Sequence, residues 1–130
     1  MEHKLKLRLF DEKFSLSKFP VFAELPHVFM NAEMVFISRT EDELCVISPE
    51  FMAPTNVQQE AGWRCIRVQN QFSFNEVGVL ASLATPLAQA NIPILTISTF
   101  DTDYIFLMEE NLVNATQALQ RAGHEFVHEE

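Results

Sequence analysis

The order of hydrophobic periods in the second half limits the fold more than any other feature of this chain. Trp63 to Val68 reads as a strand with Ile66 and Val68 on its inner face. Phe72 to Ala90 reads as a helix, because Leu80, Leu83, Ala84 and Leu87 recur at the spacing of one apolar stripe. Its start carries an S-x-x-E capping box, Ser73-Phe74-Asn75-Glu76, inside a hydrophobic staple of Phe72 and Val77. Pro86 falls within the same stripe and has no N–H, so it frees the carbonyl of Ser82. Ile92 to Thr99 then reads as a strand, Phe100 to Thr102 as a turn and Tyr104 to Met108 as a returning strand. Asn111 to Ala122 forms a second amphipathic pattern, Gly123 suits a left-handed helix stop, and His124 to His128 closes as a strand. The sequence of elements is β-α-β-β-α-β, a split βαβ unit.

The first half is less regular. Leu5, Leu7 and Leu9 alternate with Lys4, Lys6 and Arg8, and Phe14 to Ser17 resumes the alternation after Asp11-Glu12-Lys13, which suggests a hairpin. Pro20 and Pro26 bracket one helical turn at most. Met34 to Ser38 and Leu44 to Ser48 read as strands around a polar turn, Thr40 to Glu43. Pro49 to Glu60 leaves room for a short helix before Gly62. A shift of 60 positions lays Ile37-Ser38 on Ile97-Ser98, Glu41 on Asp101 and Glu43 on Asp103, which suggests an internal repeat. No Gly/Ser linker separates the halves, so one body is expected, divided at 1–61 and 62–130.

Charge narrows the partners. The formal net charge is −9, and the nine Lys and Arg form no run beyond alternate positions, so a basic face for nucleic acid or an anionic membrane is not expected. No apolar stretch approaches 18 residues, and Met1-Glu2-His3-Lys4 leads into alternating residues rather than a signal sequence. Cys45 and Cys65 stand singly in apolar runs, as buried thiols of a reducing compartment do. A cytoplasmic location is expected. His124 and His128 lie four apart on a predicted strand, where they make no metal-binding helix. No phosphate loop, dinucleotide fingerprint or nucleophile elbow is present, so neither a cofactor nor a catalytic centre is expected.

With only three glycines in the chain, Gly78 stands out in the first turns of a predicted helix. It marks either close helix packing or a ligand approaching the backbone. The start of a helix offers free N–H groups to a carboxylate. A right-handed crossover brings the strand end Ser98-Thr99-Phe100-Asp101 beside it, where Asp101 could meet an ammonium group. The alternative is that Asp101 and Asp103 are turn residues and Glu76 a capping residue.

Several runs resemble the tandem ACT-domain proteins of the CASTOR type. They are Phe36 to Glu50, Gly62-Trp63-Arg64, Val77 to Ala88, and Ile94 to Ile105, which includes Ser98-Thr99-Phe100-Asp101-Thr102-Asp103-Tyr104. The chain also resembles the regulatory ACT domains of aspartate kinases. This resemblance implies an α+β fold of two ferredoxin-like (βαββαβ) ACT units in tandem, with antiparallel sheets and helices on one face. The first unit, 1–61, would be atypical with a short helix, and the second, 62–130, complete. The resemblance further implies an amino-acid sensor without catalysis. By position its ligand would meet Asn75, Glu76, Val77 and Gly78, together with Ser98, Thr99, Phe100 and Asp101. Larger sensors of this type carry four ACT units, so a homodimer is expected. An assembly module that has lost its ligand is the competing expectation.

Overall fold

The computed structural model describes residues 3–70, 72 and 75–128. Packing divides them into two compact units, one formed by residues up to Asp11 with those from Arg64 on, the other by Glu12–Trp63. Thus the described residues up to Asp11 associate with the second half. Two long strands, β1 (Lys6–Phe19) and β4 (Gln58–Val68), contribute residues to both units. The expected hairpin at Asp11-Glu12-Lys13 does not form, and β1 runs straight through it. A tight hairpin needs residues at positive φ, and none of these three adopts it.

The second unit holds the later part of β1, β2 (Phe36–Arg39), β3 (Leu44–Pro49) and the early part of β4, in the order β2-β3-β1-β4. Both β1 and β2 pair with β3 antiparallel. Phe19, Phe29, Leu44 and Val46 form its core, with the Phe19 and Phe29 rings edge to face at 6.1 Å. The short helix expected after Pro49 is only a 3-10 turn, Glu50–Met52, and a second such turn covers His27–Asn31. Gly62 lies within β4 at φ +90°, and its N–H donates to Glu50 Oε2 at 2.7 Å. β4 thus begins five residues ahead of the expected Trp63 and carries a left-handed glycine inside it.

The first unit adds α1 (Val79–Gln89), β5 (Leu95–Ser98), β6 (Asp103–Met108), α2 (Leu112–Arg121) and β7 (Glu125–Phe126). Its strand order is β7-β1-β4-β6-β5. Leu5 and Leu7, Ile66 and Val68 of β4, and Ile105 and Leu107 of β6 bury one sheet face. Val79, Leu83 and Leu87 of α1 and Ala115 and Leu119 of α2 pack onto it. The helices therefore lie on one face, as expected of an ACT-like α+β fold. The closing strand differs. The place beside β4 belongs to β1, and β7 adds only Glu125 and Phe126, parallel to Lys6 and Leu7. Three buried or half-buried leucines let β1 hold that position, whereas the last segment offers little beyond Phe126.

Helix α1 starts at Val79, seven residues later than expected. Gly78 is its N-cap at φ +84°, and no side chain caps it. Glu76 is therefore outside the helix and is not a capping residue, while Ser73 and Phe74 lie outside the described residues. At its other end Asn91, at φ +61°, stops the helix, with Ile92 N–H returning to Leu87 O and Asn91 N–H to Ala88 O. The same pair of bonds closes α2 at Gly123, φ +99°, from His124 to Leu119 and from Gly123 to Gln120.

His124 is 4% exposed and holds this unit together. The Leu5 N–H donates to its Nδ1 at 3.1 Å, so Nδ1 carries no proton. Nε2 then bears the hydrogen and donates to the Ser82 carbonyl at 2.7 Å. That carbonyl is the one Pro86 leaves without a helical partner. His124→Phe should cost about 1–3 kcal/mol, because two backbone groups lose their bonds. In a Pro86→Ala background the residue-86 N–H can satisfy Ser82. A double-mutant cycle in urea should therefore show a smaller cost there, with a coupling of about 1 kcal/mol. Equal costs in the two backgrounds would separate His124 from the proline.

Candidate functional site

The loop that joins β5 to β6 is held from within. Thr99 N–H donates to Thr102 O at 2.8 Å, and Thr102 Oγ1 donates to Val68 O in β4 at 2.6 Å. With its two threonines turned to backbone groups, the loop carries Phe100, 82% exposed, and the exposed Asp101 outward. The hairpin of the second unit is built alike, with a four-residue loop and a Thr40 N–H to Glu43 O bond of 2.8 Å. Equivalent residues are 59 apart, Thr40 with Thr99, so the shift of 60 read from the sequence is one residue off. In a strand one residue exchanges the two faces, so that shift compared opposite faces.

Across from this loop stands the start of α1. Its first intrahelical bond runs from Ser82 N–H to Gly78 O, so the N–H groups of Val79, Leu80 and Ala81 have no acceptor within the helix. Between them lies a cleft of about 350 Å³ lined by Phe72, Glu76, Gly78, Val79, Leu80, Ala81 and every residue from Ser98 to Asp103. Among the described residues three carboxylates border it, Glu76, Asp101 and Asp103, and no Lys, Arg or His does. Ser98 Oγ donates to Asp103 Oδ1, fixing one of the three.

Six of the eight residues singled out in the sequence meet here, namely Glu76, Gly78, Ser98, Thr99, Phe100 and Asp101. Asn75 and Val77 do not line the cleft. Val77 is 84% exposed, and its carbonyl accepts from His3 Nε2 at 2.9 Å. Sequence reasoning missed Phe72, the first turn of α1 from Val79 to Ala81, Thr102 and Asp103. The first-turn residues were hidden by the misplaced helix start. Thr102 and Asp103 were visible as one acidic turn and could have been taken with Asp101.

Arg64 is paired with Glu109 at 3.1 Å and donates to Phe10 O at 2.9 Å. The Cys45 thiol is pushed above its ordinary value by burial and then by Glu43, so it stays protonated at neutral pH. Among the described residues no helix is long and apolar enough to cross a membrane.

Residues 58–121 match the family model of the ACT domain. This segment of the chain is ACT-like. A 60-residue stretch, 45% of this chain, is 38% identical to the cytosolic arginine sensor for mTORC1 subunit 1 of Homo sapiens, and the Bos taurus protein matches equally. The match covers only 18% of those sensors. A crystal structure of an Agobacterium tumefaciens protein superposes with a TM-score of 0.90 at 28% identity, over 98% of this chain and 96% of that one. The regulatory subunit of aspartate kinase from Thermus flavus shares the fold, with a TM-score of 0.61 at 8% identity over 89% and 95% of the two chains. The cleft lies within the matched ACT segment, residues 58–121.

Gly78 explains itself by its backbone, a reading the sequence alone did not single out. At φ +84° a side chain costs about 1–2 kcal/mol. Gly78→Ala should lower the urea midpoint accordingly. Gly78→Asn, which tolerates this region better, should lower it less. A Gly78→Ala protein of unchanged stability would show that the loop can relax around the substitution.

Proposed function

We propose that this chain is an amino-acid-binding regulatory protein that does no chemistry of its own. The observation that carries the reading is the cleft, with an uncapped helix start, preceded by Glu76, on one side and Asp101 and Asp103 on the other. An α-carboxylate finds N–H donors and a positive helix end at Val79 to Ala81. An α-ammonium group finds Asp101. With three carboxylates and no cation at the border among the described residues, a second positive charge on the ligand is favoured, which points to a basic amino acid. The name of the human and bovine relatives, an arginine sensor, agrees with that chemistry.

The second unit is read as an ACT-like partner of the first. Its strand order and its four-residue hairpin with Thr40 support that reading, and 3-10 turns stand where an ACT unit has helices. We place the protein in the cytoplasm, where its relatives act by name, and as a homodimer. An assembly role without a ligand is the second reading. It draws on Phe22, Met30 and Phe51 of the second unit, which are 93%, 73% and 79% exposed.

A thermal-shift series over the proteinogenic amino acids at millimolar concentration tests the first reading. Arginine or lysine should raise the melting temperature, since a ligand bound only by the folded state stabilises it. Asp101→Asn should weaken that binding about ten-fold or more, as expected for a lost hydrogen bond to a charged group, and leave the ligand-free melting temperature unchanged. A flat response to every amino acid would favour the assembly role. Light scattering at low micromolar concentration should give twice the 14.9 kDa of one chain. A single-chain mass, unchanged by amino acids, would remove the dimer.

A further inference from the structure

Three consecutive residues ahead of β1 each hold a different part of the first unit. His3 Nε2 donates to Val77 O at 2.9 Å, in the loop leading into α1. Lys4 Nζ donates to Ala122 O at 2.9 Å, at the end of α2. Leu5 N–H donates to His124, and His124 to Ser82 O in the body of α1. The His3 ring also stands edge to face on Phe72, with centroids 5.5 Å apart and planes at 76°. Phe72 and Gly78, which follows Val77, both line the cleft.

Residues 75–78 need such support. They belong to no helix or strand, Asn75, Glu76 and Val77 are exposed, and α1 has no side-chain cap to draw them in. Among the described residues, His3 supplies the side-chain bond to this stretch. A second cavity of about 490 Å³ adjoins it, lined by His3, His124, Gly78, Ala81 and neighbours on α1, with Ala122 past the end of α2. Gly78 and Ala81 line both spaces, so the rim of the cleft is bordered by open space on either side.

We infer that His3, Lys4 and Leu5 form a strap that positions the cleft rim, with His3 as the positioning residue for Val77 and Gly78. The inference rests on the cleft being the ligand site. The His124 bond secures the fold, and the His3 bond secures the rim. Because a strapped rim is already ordered, the ligand spends less of its binding energy on ordering it. Ligand and strap therefore stabilise each other.

The test compares His3→Ala and His3→Gln in the full chain, with L-arginine as the probe. Without ligand, ¹⁵N relaxation of the Val77 and Gly78 amides should show larger fast motion in His3→Ala, at an unchanged melting temperature. Arginine affinity by calorimetry should fall about five-fold in the same variant, the equivalent of one hydrogen bond. His3→Gln, which keeps an N–H donor, should recover part of both. Unchanged relaxation in His3→Ala overturns the strap, and so does a fall in melting temperature as large as that of His124→Phe. If arginine does not bind the parent protein, the ligand reading fails, and the relaxation comparison still decides the strap.

Discussion

Pro86 has no N–H to give, so the Ser82 carbonyl must find its donor outside α1. The protein supplies it from His124, just past the end of α2, and fixes the imidazole by turning the Leu5 N–H onto its other nitrogen. One side chain thus joins both helices to the residues that lead into β1. The arrangement also explains the position of β1. With Leu5 tied to His124, and with Glu125 and Val127 N–H donating to Leu5 and Leu7 carbonyls, β1 is held between β4 and β7. The closing strand of the unit is therefore not the next one in sequence.

The same helix that needs help in its last turns is bare at its first. A capping side chain would have spent one of the free N–H groups of α1 and brought its own oxygen to the spot. Gly78 starts the helix by backbone conformation alone, at φ +84°, and leaves Val79, Leu80 and Ala81 at the cleft border. The opposite wall uses the reverse strategy. There the threonine hydroxyls of the loop are consumed internally, Thr102 by Val68 O and Thr99 by Thr102 O. The polar groups left facing the cleft are mainly carboxylates. One wall thus offers backbone donors beside Glu76 and the other mainly acceptors, an arrangement that suits the zwitterion of the proposed reading.

How much of this was legible depended on whether the signal was local. The order of elements from β4 to α2, the stop at Gly123, the freed Ser82 carbonyl and six cleft residues could be read directly, because stripe spacing, proline and glycine act within a few residues. The start of α1 could not. The box from Ser73 to Glu76 has the composition of a helix start, yet the helix begins where the backbone turns at Gly78. The straight run of β1 through Asp11-Glu12-Lys13 was likewise hidden, since those residues are polar enough for a turn but lack the positive φ a tight one needs. The parallel pairing of β7 with β1 joins residues about 119 apart and leaves no local trace.

The cleft was found despite the misplaced helix because its position follows from connectivity. A strand, a helix and a strand that run through a crossover bring the helix start next to the end of the following strand, wherever within a few residues that helix begins. The seven-residue error in the start of α1 therefore changed which side chains line the cleft, and not where the cleft is. It moved the expected contacts from Asn75 and Val77 to Val79, Leu80 and Ala81. That exchange matters chemically. An asparagine amide would have offered the ligand one side-chain group, whereas the first turn of a helix offers backbone N–H groups that no single substitution of a side chain removes. Under the proposed reading, selectivity between ligands rests on the carboxylates Glu76, Asp101 and Asp103, which can each be altered one at a time.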